Sequence, residues 1–280
     1  MTRKAFVIGH PIGHSRSPLI HRHWLDAYGI DGSYEAIEVT PDDLPAFFAR
    51  LRTGEFAGGN VTVPHKERAF ELCDVLDPET AHLRAVNTIE LLPGGEGFLL
   101  HGSNTDFYGF VANLDQQAPG WSGGVQSAIV LGAGGAARAV AASLAANGIE
   151  RTFILNRTPE RAGQLARELG GPLQGSGLAD WPLLAPTTQL VVNTTTVGMG
   201  NTGFERLDLT LLPAETLVTD IVYTPLQTPL LVAARARGLR TVDGLGMLLH
   251  QAVPGFEKWF GVRPEVTAEL RQEIERTLAP

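Results

Sequence analysis

Ser127-Ala-Ile-Val-Leu-Gly-Ala-Gly-Gly-Ala-Ala-Arg-Ala-Val140 is the stretch from which the rest of this chain is read. Residues 128–131 are a short apolar, partly β-branched run, the pattern of a buried parallel strand. The chain then turns through Gly132, Gly134 and Gly135 and runs on as a small-residue helix from about residue 136, stopped near Gly148. Gly132 allows the tight turn and Gly134 lets backbone approach a phosphate. Ala137 holds the third fingerprint position, where a small residue lets helix and strand pack closely. The free N–H groups and positive dipole end of that helix then face a pyrophosphate. The alternative is a glycine turn with no ligand.

Working outward, residues 152–155 read as a second strand, which puts the glycine turn in a βαβ frame. An NAD site carries an acidic residue about 20 residues beyond the turn. This chain reads Asn156-Arg157-Thr158-Pro159-Glu160-Arg161 there. An acid would bind the ribose 2′-hydroxyl and repel a 2′-phosphate; two arginines and a hydroxyl do the reverse, which predicts NADP over NAD. The plain alternative for Arg157 and Arg161 is a solvated helix start, since Pro159 suits a first helical turn. A cation there opposes the helix dipole, however, and a nearby anion relieves the conflict.

Composition narrows the rest. The chain has 280 residues, enough for one large or two modest domains, and 44% hydrophobic with 19% charged residues is ordinary for a soluble globular protein. A single cysteine, Cys73, excludes an internal disulfide and fits a reducing compartment, so a cytoplasmic location is expected. Cys73 reads as part of an apolar helix face, with no nucleophile motif around it. The N-terminal apolar run stops at Gly9, too short for a signal peptide, and no run is long enough for a membrane span. A net charge of -8 without a basic block argues against nucleic acid as partner.

Taken in order, strands are expected at residues 5–8, 34–39 and 58–63, with a helix that follows the loop ending at Pro18 and runs to about residue 28 and another from Pro41 to about residue 52, the latter capped by Thr40. Residues 86–92 and 98–101 flank Pro93-Gly-Gly-Glu-Gly97 as a hairpin. Further strands are expected at residues 190–193, 217–221 and 240–242, with a crossover helix over 225–237 and terminal helices over 245–259 and 264–278. Strands alternating with helices imply an α/β fold with mostly parallel sheets. The loosest stretch, residues 108–126, marks a boundary, and the terminal helices have no place in a nucleotide-binding half. The expected domains are therefore 1–106 plus 243–280, and 107–242.

Hydride transfer to a ketone needs a proton donor close to the carbonyl. Asn60-Val-Thr-Val-Pro-His-Lys66 runs from a strand's carboxyl end into a helix start, where open sheets place ligands, and offers Lys66. The alternative for Lys66 is a snorkelling surface lysine. Asp106 in Asn104-Thr-Asp106 offers a partner carboxylate, or a helix N-cap, or both. His65 is a weaker acid–base candidate. Ser15 and Ser17 near a helix start suit a substrate carboxylate, or serve as ordinary caps. His10 and His14 lack a third ligand at useful spacing, so no metal is expected.

These motifs occur together with Pro11-Ile-Gly-His-Ser-Arg-Ser-Pro18, Ala85-Val-Asn-Thr88, Asn193-Thr-Thr-Thr-Val-Gly-Met199 and Asp243-Gly-Leu-Gly-Met247 followed by Gln251. In this order, over nearly the whole chain, they resemble the shikimate dehydrogenase family of aromatic amino-acid biosynthesis. The resemblance implies reversible reduction of 3-dehydroshikimate to shikimate with NADPH. It implies a mostly parallel α/β substrate domain built from both chain ends and a Rossmann-like NADP-binding domain between them. By motif, Lys66 would be the acid–base group and Asp106 its partner. Ser15 and Ser17 would hold the carboxylate, with Tyr223 adding a hydroxyl, and Thr62, Asn87 and Gln251 would surround the ring hydroxyls. Gly132, Ala133, Gly134, Gly135, Ala136, Asn156, Arg157, Thr158, Arg161, Ile221, Gly244 and Met247 would surround the cofactor. Asn201 and Thr202 receive no role. A homodimer is compatible with the resemblance. Two other readings stay open: a quinate/shikimate dehydrogenase of relaxed specificity, and a non-catalytic NADP-binding regulator.

Overall fold

The computed structural model describes residues 2–95, 97–200, 202–204 and 207–278; Glu96 of the expected hairpin turn and Asn201 lie outside the described residues. The chain divides into two compact units. The first runs up to Thr105 and adds Leu248–Ile274; the second is Asp106–Met247 with the residues from Glu275 on.

The first unit follows the order β1 (Arg3–Gly9), α1 (Ser17–Ala27), β2 (Gly32–Glu38), α2 (Leu44–Leu51), β3 (Gly58–Val61), α3 (Lys66–Leu72), β4 (Val75–Leu76), α4 (Pro78–Leu83), β5 (Thr88–Gly94) and β6 (Gly97–Ser103). Its sheet has the order β2-β1-β3-β5-β6-β4. β1 pairs in parallel with β2 and β3, whereas β5 runs antiparallel to both β3 and β6. The ends of β1 and β3, the start of β5 and the end of β6 therefore share one edge. One core cluster joins Phe6, Ile8, Phe47, Phe48, Leu51, Val61, Ile89 and Leu100. An aromatic group of Trp24, Tyr34, Phe256 and Trp259 surrounds His21.

Three expectations need correction here. Thr40 does not cap a helix starting at Pro41: α2 begins at Leu44, with Asp43 at its N-cap and Pro45 in its first turn. The Asp43 N–H donates to the Thr40 carbonyl at 3.2 Å and to Thr40 Oγ1 at 3.3 Å. The Thr40 hydroxyl donates to Asp43 Oδ2 at 2.7 Å, so this pair closes a separate turn that competes with a helical start. Cys73 is not within a helix but at the C-cap of α3, packed against the core. The hairpin strands run inward to Gly94 and Gly97, so Pro93 is paired with Phe98 rather than looped out.

The second unit begins with α5 (Asp106–Gln117) and continues with β7 (Ser127–Leu131), α6 (Gly135–Ala146), β8 (Arg151–Asn156), α7 (Pro159–Leu169), β9 (Leu173–Gly177), α8 (Trp181–Leu184), β10 (Leu190–Asn193), β11 (Val197–Gly200), β12 (Leu217–Asp220), α9 (Pro229–Ala236) and β13 (Arg240–Val242). The sheet order β13-β12-β10-β7-β8-β9 is parallel throughout, with β7 central. β7 and β10 are buried along their whole length, as expected of strands covered on both faces. The order reverses at β7, the place where open α/β sheets bind ligands beyond their strand ends. Two helices close the chain, α10 (Leu245–Phe260) and α11 (Ala268–Arg276).

Candidate functional site

In the first unit, β1 and β3 deliver their loops to one edge, and main-chain bonds fix those loops together. Thr62 N–H donates to the Ile8 carbonyl at 2.9 Å, and His10 N–H donates to the Val63 carbonyl at 3.1 Å. A Cβ at Gly9 would lie 2.6 Å from Thr62 Cγ2, so the approach requires glycine. The loop carrying half-buried Ser15, the buried Ser17 at the start of α1, and the segment carrying Thr62 and Lys66 therefore form one rim. Ser17 N–H donates to Ser15 Oγ at 3.3 Å.

Lys66 is the first residue of α3 and is half-buried. Its carbonyl accepts from Val86 N–H at 2.9 Å, which ties the α3 start to Asn87. Asn87 is 2% exposed, and its Oδ1 accepts from Thr105 N–H at 2.8 Å, from the Thr88 hydroxyl at 2.9 Å and from the Thr105 hydroxyl at 3.2 Å. Its Nδ2 points to Gln251 Oε1 at 3.5 Å. Ser15, Ser17, Thr62, Lys66, Asn87 and Gln251 thus all belong to the first unit, while Asp106 and Tyr223 belong to the second. Asp106 is buried in the first turn of α5, directly after Thr105, and Tyr223 is half-buried on the loop that follows β12.

The other polar groups of the first unit have plainer roles. His65 is 1% exposed and its Nε2 lies 2.7 Å from the Val39 carbonyl. A carbonyl only accepts, so Nε2 carries the proton and the ring is committed to holding the loop. His10 faces Glu38 at 2.9 Å, and no cluster of three or more metal-ligating side chains occurs among the described residues. Burial, reinforced by the charge of Asp74, pushes the Cys73 thiol up to about 12, which leaves no thiolate for chemistry at neutral pH.

In the second unit the glycine turn joins β7 to α6 at the carboxyl edge of the sheet. Gly132 has φ +109°, and a Cβ there would lie 2.9 Å from Thr194 Oγ1 and from Thr195 Cγ2. Thr194 fixes this approach by donating its hydroxyl to the Leu131 carbonyl at 2.6 Å. Gly134 is the N-cap of α6 and offers no side-chain cap to the first helical N–H groups. A Cβ at Gly134 would meet nothing within 4 Å, so its missing side chain leaves room for a ligand rather than for the fold. Ala133, Gly135 and Ala136 complete the turn, and buried Ala137 packs the helix on the sheet.

β8 ends beside this turn, since Leu131 is in register with Leu155 and Gly132 N–H donates to the Leu155 carbonyl at 2.8 Å. Asn156 Nδ2 donates to the Thr158 carbonyl at 3.0 Å, which folds the chain into α7. Arg157, Thr158 and Arg161 are exposed there, and neither arginine enters an ion pair among the described residues. Two cations with no protein anion, next to uncapped helix N–H groups, suit a phosphorylated dinucleotide. Further along the edge, Ile221 and Gly244 meet: a Cβ at Gly244 would come within 2.5 Å of the Ile221 main chain. Met247 is 7% exposed on α10. Buried Asp220 braces the Ile221 loop by accepting from Asn193 Nδ2 at 2.8 Å, the Thr228 hydroxyl at 2.7 Å and Val222 N–H at 2.9 Å. Burial raises its carboxyl above the usual range, against those hydrogen bonds.

Some participants carry no role in a reading of the sequence. Thr194 and Thr195 shape the glycine turn, and their signal is the Asn193–Met199 motif itself. Tyr34, Thr88 and Thr105 support Asn87; Thr88 and Thr105 lie within the Ala85–Thr88 and Asn104–Asp106 motifs, whereas nothing local marks Tyr34.

A parallel sheet with a glycine turn at its central strand and a basic cluster at the next strand defines the second unit as a dinucleotide-binding module. The lysine and amide rim of the first unit completes the features of a nicotinamide-dependent oxidoreductase. Three family descriptions match the chain: shikimate dehydrogenase substrate binding domain over residues 7–89, shikimate / quinate 5-dehydrogenase over 117–199, and shikimate 5'-dehydrogenase C-terminal domain over 244–273. The chain belongs to the shikimate dehydrogenase family. A shikimate dehydrogenase (NADP(+)) of Mesorhizobium japonicum is 55% identical over 280 residues, covering 100% of this chain and 98% of the relative. The shikimate 5-dehydrogenase of Thermus thermophilus, solved with NADP(H) and shikimate, is 37% identical with a TM-score of 0.85, covering 99% of this chain and 100% of that one. A quinate dehydrogenase of Corynebacterium glutamicum, solved with NAD, is 29% identical with a TM-score of 0.88, covering 98% of each chain.

Proposed function

We propose that this chain catalyses the reversible, NADPH-dependent reduction of 3-dehydroshikimate to shikimate in aromatic amino-acid biosynthesis. The first unit is the substrate domain and the second the NADP domain. The observation that carries the reading is the rim on which half-buried Lys66, Asn87, Thr62, Gln251 and the two serines stand together. A cyclohexene carboxylate with ring hydroxyls needs that set of donors and acceptors.

NADPH, when bound, supplies the hydride. Gly132, Ala133, Gly134, Gly135 and Ala136 would hold its pyrophosphate through main-chain N–H groups, and Asn156, Arg157, Thr158 and Arg161 would hold the adenosine 2′-phosphate. Ile221, Gly244 and Met247 would line the nicotinamide end. Ser15, Ser17 and the Tyr223 hydroxyl hold the substrate carboxylate. Thr62, Asn87, Asp106 and Gln251 hold the ring oxygens, which fixes distance and angle at the reacting carbon. The Lys66 ammonium gives its proton to the ketone oxygen as the hydride reaches the carbon, so the carbonyl becomes an alcohol and Lys66 a neutral amine that solvent reprotonates. Asp106 orients that ammonium and keeps it charged. In the oxidative direction the neutral amine takes the hydroxyl proton.

Steady-state kinetics of Lys66→Ala tests this. Turnover should collapse with little change in the KM for shikimate, and normal turnover refutes the assignment. Arg157 stands where an acid would favour NAD, so activity with quinate and NAD should be weak beside that with shikimate and NADP. A cytoplasmic location and a homodimer belong to the same proposal, and cell fractionation and light scattering check them.

A further inference from the structure

Resting on that reading, we propose that Tyr34 is a positioning residue that sets the orientation of the Asn87 amide through a buried, one-directional hydrogen-bond relay. Tyr34 is 7% exposed, and its hydroxyl lies 2.6 Å from Asn60 Oδ1. An amide oxygen only accepts, so the phenol donates. The Asn60 amide then spends both N–H groups, one on the Asn87 carbonyl at 3.1 Å and one on Thr88 Oγ1 at 3.1 Å. Thr88 Oγ1, already accepting, turns its single proton to Asn87 Oδ1 at 2.9 Å. With Thr105 also donating to Asn87 Oδ1 through N–H and hydroxyl, the oxygen side of that amide is committed inward. Its Nδ2 faces the Gln251 side, 3.5 Å from Gln251 Oε1.

Orientation matters because a rotated Asn87 amide would present an oxygen to a ring ketone, where repulsion replaces a hydrogen bond. The relay's origin is held rigidly. The His21 ring stacks on Tyr34 with centroids 3.8 Å apart and planes 9° apart, and Trp259 lies 5.9 Å away on the same ring. Removing the hydroxyl leaves buried Asn60 Oδ1 without its phenol donor and loosens the Asn60–Thr88 arm of the relay, so that the Thr105 donors alone hold Asn87 Oδ1.

The experiment is a double-mutant cycle of Tyr34→Phe and Thr88→Val, with KM for shikimate, KM for NADP and kcat measured on each folded enzyme. Tyr34→Phe should raise the KM for shikimate about tenfold, the effect of one hydrogen bond, while kcat stays within about twofold. The KM for NADP should not move. Because both substitutions cut one relay, the double variant should be no worse than the worse single variant. An unchanged KM for shikimate in Tyr34→Phe, or single effects that multiply in the double variant, overturns the proposal. Should Tyr34→Phe fail to fold, Thr88→Val alone decides: a raised KM for shikimate with unchanged KM for NADP supports the relay, and an unchanged KM rejects it. A wild-type enzyme inactive on shikimate refutes the function itself, an outcome distinct from an active enzyme indifferent to Tyr34.

Discussion

Asn87 and Arg157 both stand just outside the strands of a six-stranded sheet, yet they are held in opposite ways. Asn87 is 2% exposed and its oxygen accepts from three donors, all from neighbouring residues of the first unit. Arg157 is exposed, and no ion pair holds it among the described residues. The first unit therefore arranges its groups before a ligand arrives, and the second leaves main-chain N–H groups and exposed cations to be satisfied by one. Buried, ordered polar groups suit a step in which charge and geometry must be right in the transition state. Exposed cations suit binding of a phosphate, where water screens the pair and limits its strength.

This contrast is sharpest in kinetics. Lys66→Ala should lower kcat by about 10²–10⁴-fold, the usual range for a lost general acid, with a small change in either KM. Arg157→Ala should act on the other unit's terms. The preference for NADP over NAD should fall by about tenfold, since an exposed charged hydrogen bond is worth little more, with kcat nearly unchanged. If Arg157→Ala instead lowered kcat and left the cofactor ratio untouched, the two units would not divide chemistry and cofactor binding in this way.

Two glycines separate fold from ligand within the second unit. Gly134 has φ -100°, a conformation open to any residue, and a Cβ there meets nothing within 4 Å. Gly134→Ala should melt within a few degrees of the wild type but show a raised KM for NADP, because the added methyl occupies the phosphate's approach. Gly244→Ala should do the reverse in order of severity. Its Cβ would sit 2.5 Å from the Ile221 carbonyl carbon and oxygen, so main chain must move and the melting temperature should fall first. Equal melting temperatures for the two variants would remove the distinction.

The same contrast explains what is legible in the sequence. The glycine turn, its flanking strands and the basic residues after β8 are local features, because a βαβ unit brings sequence neighbours to one strand edge. They are readable as a dinucleotide site from residues 127–161 alone. In the first unit the strands are also readable, but the support of Asn87 is not. Tyr34, Asn60, Thr88 and Thr105 come from β2, β3, β5 and the end of β6, and only their pairing across the sheet makes them neighbours. The boundary errors have the same origin. Thr40 and Asp43 satisfy each other by side-chain bonds that no periodicity records, and short strands such as β4 and β9 are defined by partners rather than by pattern.

The smallest expected effect concerns acid, where the two units carry buried groups of opposite sign. His21 is fully buried, neither ring nitrogen has a hydrogen-bond partner among the described residues, and burial lowers its pKa to about 3. Its folded value lies below the unfolded value of about 6.5, so the unfolded chain binds the extra proton between those limits. Its contribution is therefore constant above about pH 6.5 and is lost progressively as pH falls toward 3, amounting to about 2 kcal/mol by pH 5. Asp220 in the second unit runs the other way. Burial raises its folded pKa, so the folded state holds the proton more tightly, and acidification through that window stabilises rather than weakens. Thermal unfolding of the wild type should thus shift to lower temperature between pH 7 and pH 5, and His21→Phe, which keeps an aromatic ring on Tyr34, should flatten that dependence. An equal acid shift in His21→Phe would mean that other groups titrate the first unit, and that the pre-ordered side of the comparison does not owe its acid sensitivity to the imidazole stacked on Tyr34.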